Sequence, residues 1–94
     1  MIRVLIERQF VEGMREELER VVREVIQEAV RAPGYLSGEI LRDVEDNNHF
    51  VVISNWRSLE HWDAWYASDA RRRVMACVEP MLQEPEHITV AEPV

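Results

Sequence analysis

Three tryptophans, Trp56, Trp62 and Trp65, fall within ten residues of a chain that is only 7% aromatic. Large ring faces hold planar ligands by dispersion and offset stacking, worth about 0.5–1.5 kcal/mol per pair beyond area burial. Aromatics at helical spacing also serve as plain core, so the cluster is read as pocket walls with core packing as the alternative. His61 stands one turn before Trp65, which would put both on one pocket edge. Its imidazole has an unperturbed pKa suited to proton transfer near neutrality. His61 is therefore the base candidate, and an exposed histidine in the first turn of a helix is the alternative. His49 at a turn and His87 before a strand read as solvent-facing. No two histidines share an element at ligand spacing, so no protein-held metal is expected.

The remaining reactive groups are fewer. Cys77 has no histidine near it in sequence and reads as a packing thiol. Arg71, Arg72 and Arg73 form the single basic run, either a solvated face or a group that attracts a ligand carboxylate or a partner subunit. Glu7 either faces a pocket with a raised pKa or pairs with Arg42 or another cross-strand arginine. All eleven basic residues are arginine, which excludes a lysine Schiff base and a phosphate-loop lysine on this chain. Eleven bases against eighteen acids give a net charge of −7, a field that repels phosphate backbones and anionic lipid, so neither nucleic acid nor membrane is an expected partner. No apolar run is long enough to cross a bilayer, the first residues lack a signal-peptide core and the single cysteine forms no internal disulfide. A reducing, cytoplasmic location is expected.

These groups must be positioned by the elements the pattern dictates. Residues 2–10 alternate, with Ile2, Val4, Ile6 and Phe10 on one side, as a strand requires. From Val11 the period becomes helical through Met14, Leu18, Val21, Val22, Val25 and Ala29, until Ala32-Pro33-Gly34 stops it. Tyr35 to Val44 and Asn48 to Trp56 read as strands joined by the polar turn Glu45-Asp46-Asn47-Asn48. Ser58 can cap one short helix and Ser68 or Asp69 another, and residues 87–91 make a last strand. The order β-α-β-β-α-α-β at 94 residues is that of one α+β domain, ferredoxin-like, with a four-stranded antiparallel sheet and its helices on one face. Phe50, Val52 and Trp56 alternate with Val51 and Ile53, so the third strand is apolar on both faces. A second copy of the sheet is the expected cover, giving a homodimer.

The stretch Asn55-Trp56-Arg57-Ser58-Leu59-Glu60, with Trp65-Tyr66-Ala67-Ser68-Asp69 after it and Pro33-Gly34-Tyr35 before it, resembles the antibiotic biosynthesis monooxygenase domain family. The resemblance covers essentially the whole chain and implies a dimeric α+β barrel of two face-packed sheets. Against the quinone-forming branch of the family, Trp56 matches the strand-end tryptophan, Val52 stands at an asparagine position and Trp62 at a tyrosine position. Against the haem-degrading branch, Trp65 matches a tryptophan, Met75 stands at the histidine position and Glu7 falls at or beside the asparagine position. A third pattern has histidines where Trp65 and Ala70 stand here. The function the resemblance implies is cofactor-independent monooxygenation of a small planar aromatic or quinol-type substrate with neither flavin nor metal; the walls Trp56, Trp62 and Trp65 and the base His61 come from residue type and spacing. The alternatives are a haem-binding or haem-degrading-like protein and a non-enzymatic small-molecule-binding or stress-related dimer.

Overall fold

A computed structural model describes residues 1–94. Its elements are β1 (Ile2–Gln9), α1 (Arg15–Ala29), β2 (Tyr35–Arg42), β3 (His49–Trp56), α2 (Leu59–Tyr66), α3 (Asp69–Val78), a 3-10 turn at Glu79–Met81 and β4 (His87–Ala91). The strands form one antiparallel sheet in the order β2-β3-β1-β4. This is the expected α+β, ferredoxin-like arrangement.

Local chemistry sets the element ends. α1 begins at Arg15 rather than Val11 because Gly13 takes φ +87°, a left-handed conformation that interrupts a helix. β2 ends at Arg42 rather than Val44 because Asp43 starts a turn: its Oδ1 accepts the Glu45 N–H at 2.9 Å, and Asp46 Oδ1 accepts that of Asn48 at 2.9 Å. Ser58 and Ser68 cap α2 and α3, their hydroxyls accepting the backbone N–H of His61 and Arg71. Gly34 ends the α1 connection at φ +86°, and a Cβ there would lie 2.2 Å from the His61 ring, so both backbone and space demand glycine.

The side chains of Ile2, Val4, Ile6 and Arg8 share a face of the sheet with Phe50, Val52, Ser54 and Trp56. The helices cover this face in two apolar clusters. One joins Phe10, Leu18 and Val21 to Met75, Val78 and Met81; the other joins Val4 and Ile6 to the three tryptophans. The opposite face carries Leu5, Leu41, Val51 and Ile53, with no layer over it in the single chain. An accessible surface of 6267 Å² exceeds the roughly 5,700 Å² expected of a compact monomer of this mass, as an uncovered sheet face would make it.

Candidate functional site

Between the C-terminal half of α1 and the sheet lies a cavity of about 300 Å³. α1 closes it with Val22, Val25, Ile26 and Ala29, one stripe of helical periodicity. β3 supplies Val52, Ser54 and Trp56, and α2 supplies Trp62 and Trp65. The three tryptophans thus line the cavity and belong to the core as well, at 1%, 3% and 7% exposure. Trp56 and Trp65 stack at 6.3 Å between centroids and 22° between planes, and Trp62 meets Trp56 edge-on at 5.7 Å. The Trp56 indole N–H donates to Ser54 Oγ at 3.0 Å, which leaves the Ser54 hydroxyl proton free to donate. Tyr35 meets Trp56 edge-on at 5.4 Å, its hydroxyl has no protein partner, and burial raises its pKa.

His61 does not reach this cavity. It lies in a separate surface depression with Glu28, Arg31 and Pro33, reached by Trp65 from the other side. As the third residue of α2 it is turned about 100° from Trp62 and shares this outer depression with Trp65, one turn on. Its Nδ1 sits 2.7 Å from the Oγ of the capping Ser58. His61 and Trp65 thus share an edge as expected, but it is the edge of this outer depression and not of the tryptophan-walled cavity, and the His61 ring packs over Gly34 at the α1–β2 turn.

The charged groups at the cavity were hidden from the sequence pattern. Arg8 points inward from β1 at 4% exposure, and Arg71 from α3 at 8%; both line the cavity. Glu86, just before β4, joins them: Arg8 Nε donates to its Oε2 at 2.9 Å and Arg71 Nη2 to its Oε1 at 2.5 Å. Burial pulls the Arg8 guanidinium below its ordinary pKa, with Glu86 opposing. Burial pushes the Glu86 carboxyl up, but the two arginines outweigh it and hold it below its usual value. The alternation that put Ile2, Val4, Ile6 and Phe10 inside assigns position 8 to the same face, and this was the available signal for Arg8. Arg71 is a buried ion-pair residue stacked 4.7 Å over the Tyr66 ring, whereas Arg72 and Arg73 are exposed.

Three other expectations are corrected. Cys77 is exposed, because it lies on the opposite side of α3 from Met75. Glu7 points to the open sheet face, where it pairs with His49 at 3.4 Å rather than with an arginine. His49 is half-buried rather than free in solvent, with its Nδ1 2.9 Å from Asp43 Oδ2. Met75, at the position of the haem-branch histidine, is buried in the cluster with Phe10; its sulfur accepts from Arg8 Nη2 at 3.7 Å and does not line the cavity. No group of three or more His, Cys, Asp or Glu side chains is arranged to hold a metal ion.

The family model for antibiotic biosynthesis monooxygenase matches residues 1–76. The chain belongs to that family. A solved antibiotic biosynthesis monooxygenase superposes on 100% of this chain and 99% of its own, with TM-score 0.91 at 18% identity. A conserved protein from Methanosarcina mazei Go1 covers 96% of this chain and 89% of its own, with TM-score 0.88 at 17% identity. SnoaB, a cofactor-independent oxygenase from Streptomyces nogalater, covers 99% and 95%, with TM-score 0.81 at 18% identity. At these identities the likeness is one of fold. No curated protein matches the chain. In this member of the antibiotic biosynthesis monooxygenase family, the polar side chains that line the cavity are those of Ser54, Tyr35, Glu39 and the two arginines, and no helix is long and apolar enough to cross a membrane.

Proposed function

We propose that the protein is a cofactor-independent monooxygenase of small planar phenols. The observation that carries this reading is the tryptophan-walled cavity between helix layer and sheet, which offers ring faces for stacking and hydroxyl donors for a substrate oxygen. Family membership and the SnoaB fold support it.

In the mechanism the phenol lies among Trp56, Trp62 and Trp65, with its oxygen toward the polar groups of the lining. The electron-rich phenolate passes electrons to dioxygen, and the oxygen bonds to a ring carbon. One oxygen atom becomes a new carbonyl; the other leaves as water, carrying the ring and hydroxyl hydrogens, so no external reductant enters. The protein supplies position and a dry apolar site. The purified protein should consume oxygen and form quinone from naphthols faster than buffer does. No rate above background for any two- or three-ring phenol would reject the reading.

The working unit in this proposal is a homodimer formed through the open face around Leu5, Leu41, Val51 and Ile53. The uncovered apolar strand positions support it, and no residue of that face lines the inner cavity apart from Ile53 and Glu39 at its β2 edge.

A further inference from the structure

The cluster of Arg8, Arg71 and Glu86 holds two cations and one anion, which leaves one positive charge uncompensated beside an apolar cavity. Glu86 does not line that cavity, but Arg8 and Arg71 both do. Glu39 is the one acidic residue on the lining, and it is exposed on β2, at the far side of β3 from β1.

The nitrogens of Arg8 are unequally occupied. Nε donates to Glu86, Nη2 has only the Met75 sulfur at 3.7 Å, a weak acceptor, and Nη1 has no protein partner. No fully enclosed side-chain nitrogen lacks a partner, so the unpartnered nitrogen of Arg8 keeps access to open space, and Arg8 lines the cavity. A cation this deeply buried with spare donors is costly unless something with matching charge meets it. Glu86 fixes the guanidinium plane and Arg71 adds a second positive group, itself held between Glu86 and the Tyr66 ring. The cavity is thus polarised: ring faces line one part, and a pre-oriented guanidinium lies at the β1 side.

We propose that Arg8, flanked by Arg71, recognises an oxyanion, so that the ligand of this cavity is a planar aromatic bound as its phenolate or through a ring carboxylate. The inference rests on the proposed oxygenase reading and names its substrate class. It also accounts for a site without a histidine: positive potential at the guanidinium favours the ionised phenol, so the proton can depart to solvent before binding and no side chain need remove it.

The test is equilibrium binding followed by tryptophan fluorescence, with naphthoate, naphthol and the neutral naphthyl methyl ether as probes. Naphthoate at pH 7 should bind about tenfold more tightly than the ether, the effect of one charge-assisted hydrogen bond. Naphthol should bind more tightly as the pH rises through its own ionisation. Arg8→Gln should abolish these preferences while leaving ether affinity within about twofold, and Arg8→Lys should restore part of them. A naphthoate preference alone assigns the carboxylate, and tightening on naphthol ionisation alone assigns the phenolate. If Arg8→Gln does not fold, the wild-type comparison of charged and neutral probes decides. The proposal is overturned if neither anion binds better than its neutral counterpart, if no probe shows saturable binding, or if the preference survives in Arg8→Gln. Oxygen consumption plays no part in these measurements. An inactive protein with the anion preference would therefore reject the oxygenase reading alone, and an active one without it would reject this inference alone.

Discussion

Replacing Glu86 by glutamine leaves two buried guanidiniums facing each other without their shared carboxylate. The side chain keeps its shape, so the loss is mainly electrostatic. Charge-assisted hydrogen bonds contribute about 1.5–3 kcal/mol each, and breaking a buried ion pair costs about 3–5 kcal/mol. Glutamine still offers one oxygen to one arginine, which brings the expected loss to about 3 kcal/mol. For 94 residues the unfolding entropy near 60 °C is about 0.2 kcal/mol/K, so Tm should fall by about 15 °C. The assay is urea and thermal unfolding of wild type and Glu86→Gln at one fixed protein concentration, because association would shift both curves. Glu84→Gln, an exposed neighbour, should change stability by less than about 0.5 kcal/mol. The folded Glu86 pKa is lowered, so its contribution is fully present above the ordinary carboxyl value near pH 4.3 and disappears as pH falls through the folded value. The gap between wild type and variant should close on acidification. A loss under about 1 kcal/mol at pH 7, or a gap that ignores pH, would refute the argument that this carboxylate holds the cluster together.

Trp56→Ala should lower stability by about 3–5 kcal/mol and more than Trp65→Ala, since Trp56 also orients Ser54 through its N–H; equal losses in urea unfolding would contradict this. Trp65→Phe should weaken naphthol binding at little cost in stability, whereas an unfolded variant with unchanged affinity in the survivors would make Trp65 purely core. Light scattering should return about twice 11.1 kDa, and Ile53→Arg on the open face should unfold the protein or yield monomer; a monomeric wild type at micromolar concentration rejects the sheet-to-sheet dimer. The hydrogen bond to Asp43, together with the charges of Asp43 and Glu7, raises the His49 pKa above its ordinary value. The stability it brings is present below about pH 6.5 and is lost as pH rises through the higher folded value. An NMR titration should show that raised midpoint, and Asp43→Asn should return it toward normal. A wild-type midpoint at or below the ordinary value would dismiss the pairing.

Periodicity and breakers made the fold legible. Alternation marked β1, an apolar run after a polar turn marked β3, the change at Val11 announced α1, Pro33-Gly34 ended it, and Ser58 and Ser68 marked two caps. All of these are local signals, and α1 and β2 differ at their ends only where Gly13 and Asp43 act locally. The three tryptophans were visible because aromatics stand out by type. The charged end of the cavity was not, since arginines at 8 and 71 and a glutamate at 86 meet only after β1, α3 and the approach to β4 are packed together. A run of three arginines suggested a uniform face, yet helical geometry buries Arg71 and exposes its two neighbours. His61 was misplaced for a related reason: it is turned about 100° from Trp62, and the side it shares with Trp65, one turn on, faces the outer depression rather than the cavity.

The central claim is oxygenation in the tryptophan-walled cavity, and isotope incorporation tests it most directly. Purified protein, a chelator and naphthol under heavy-isotope dioxygen should yield a quinone with one labelled carbonyl oxygen and one dioxygen consumed per product. Formation should slow with Trp65→Phe and Arg8→Gln. Label absent from the quinone, or product forming no faster than in protein-free buffer, would contradict the account.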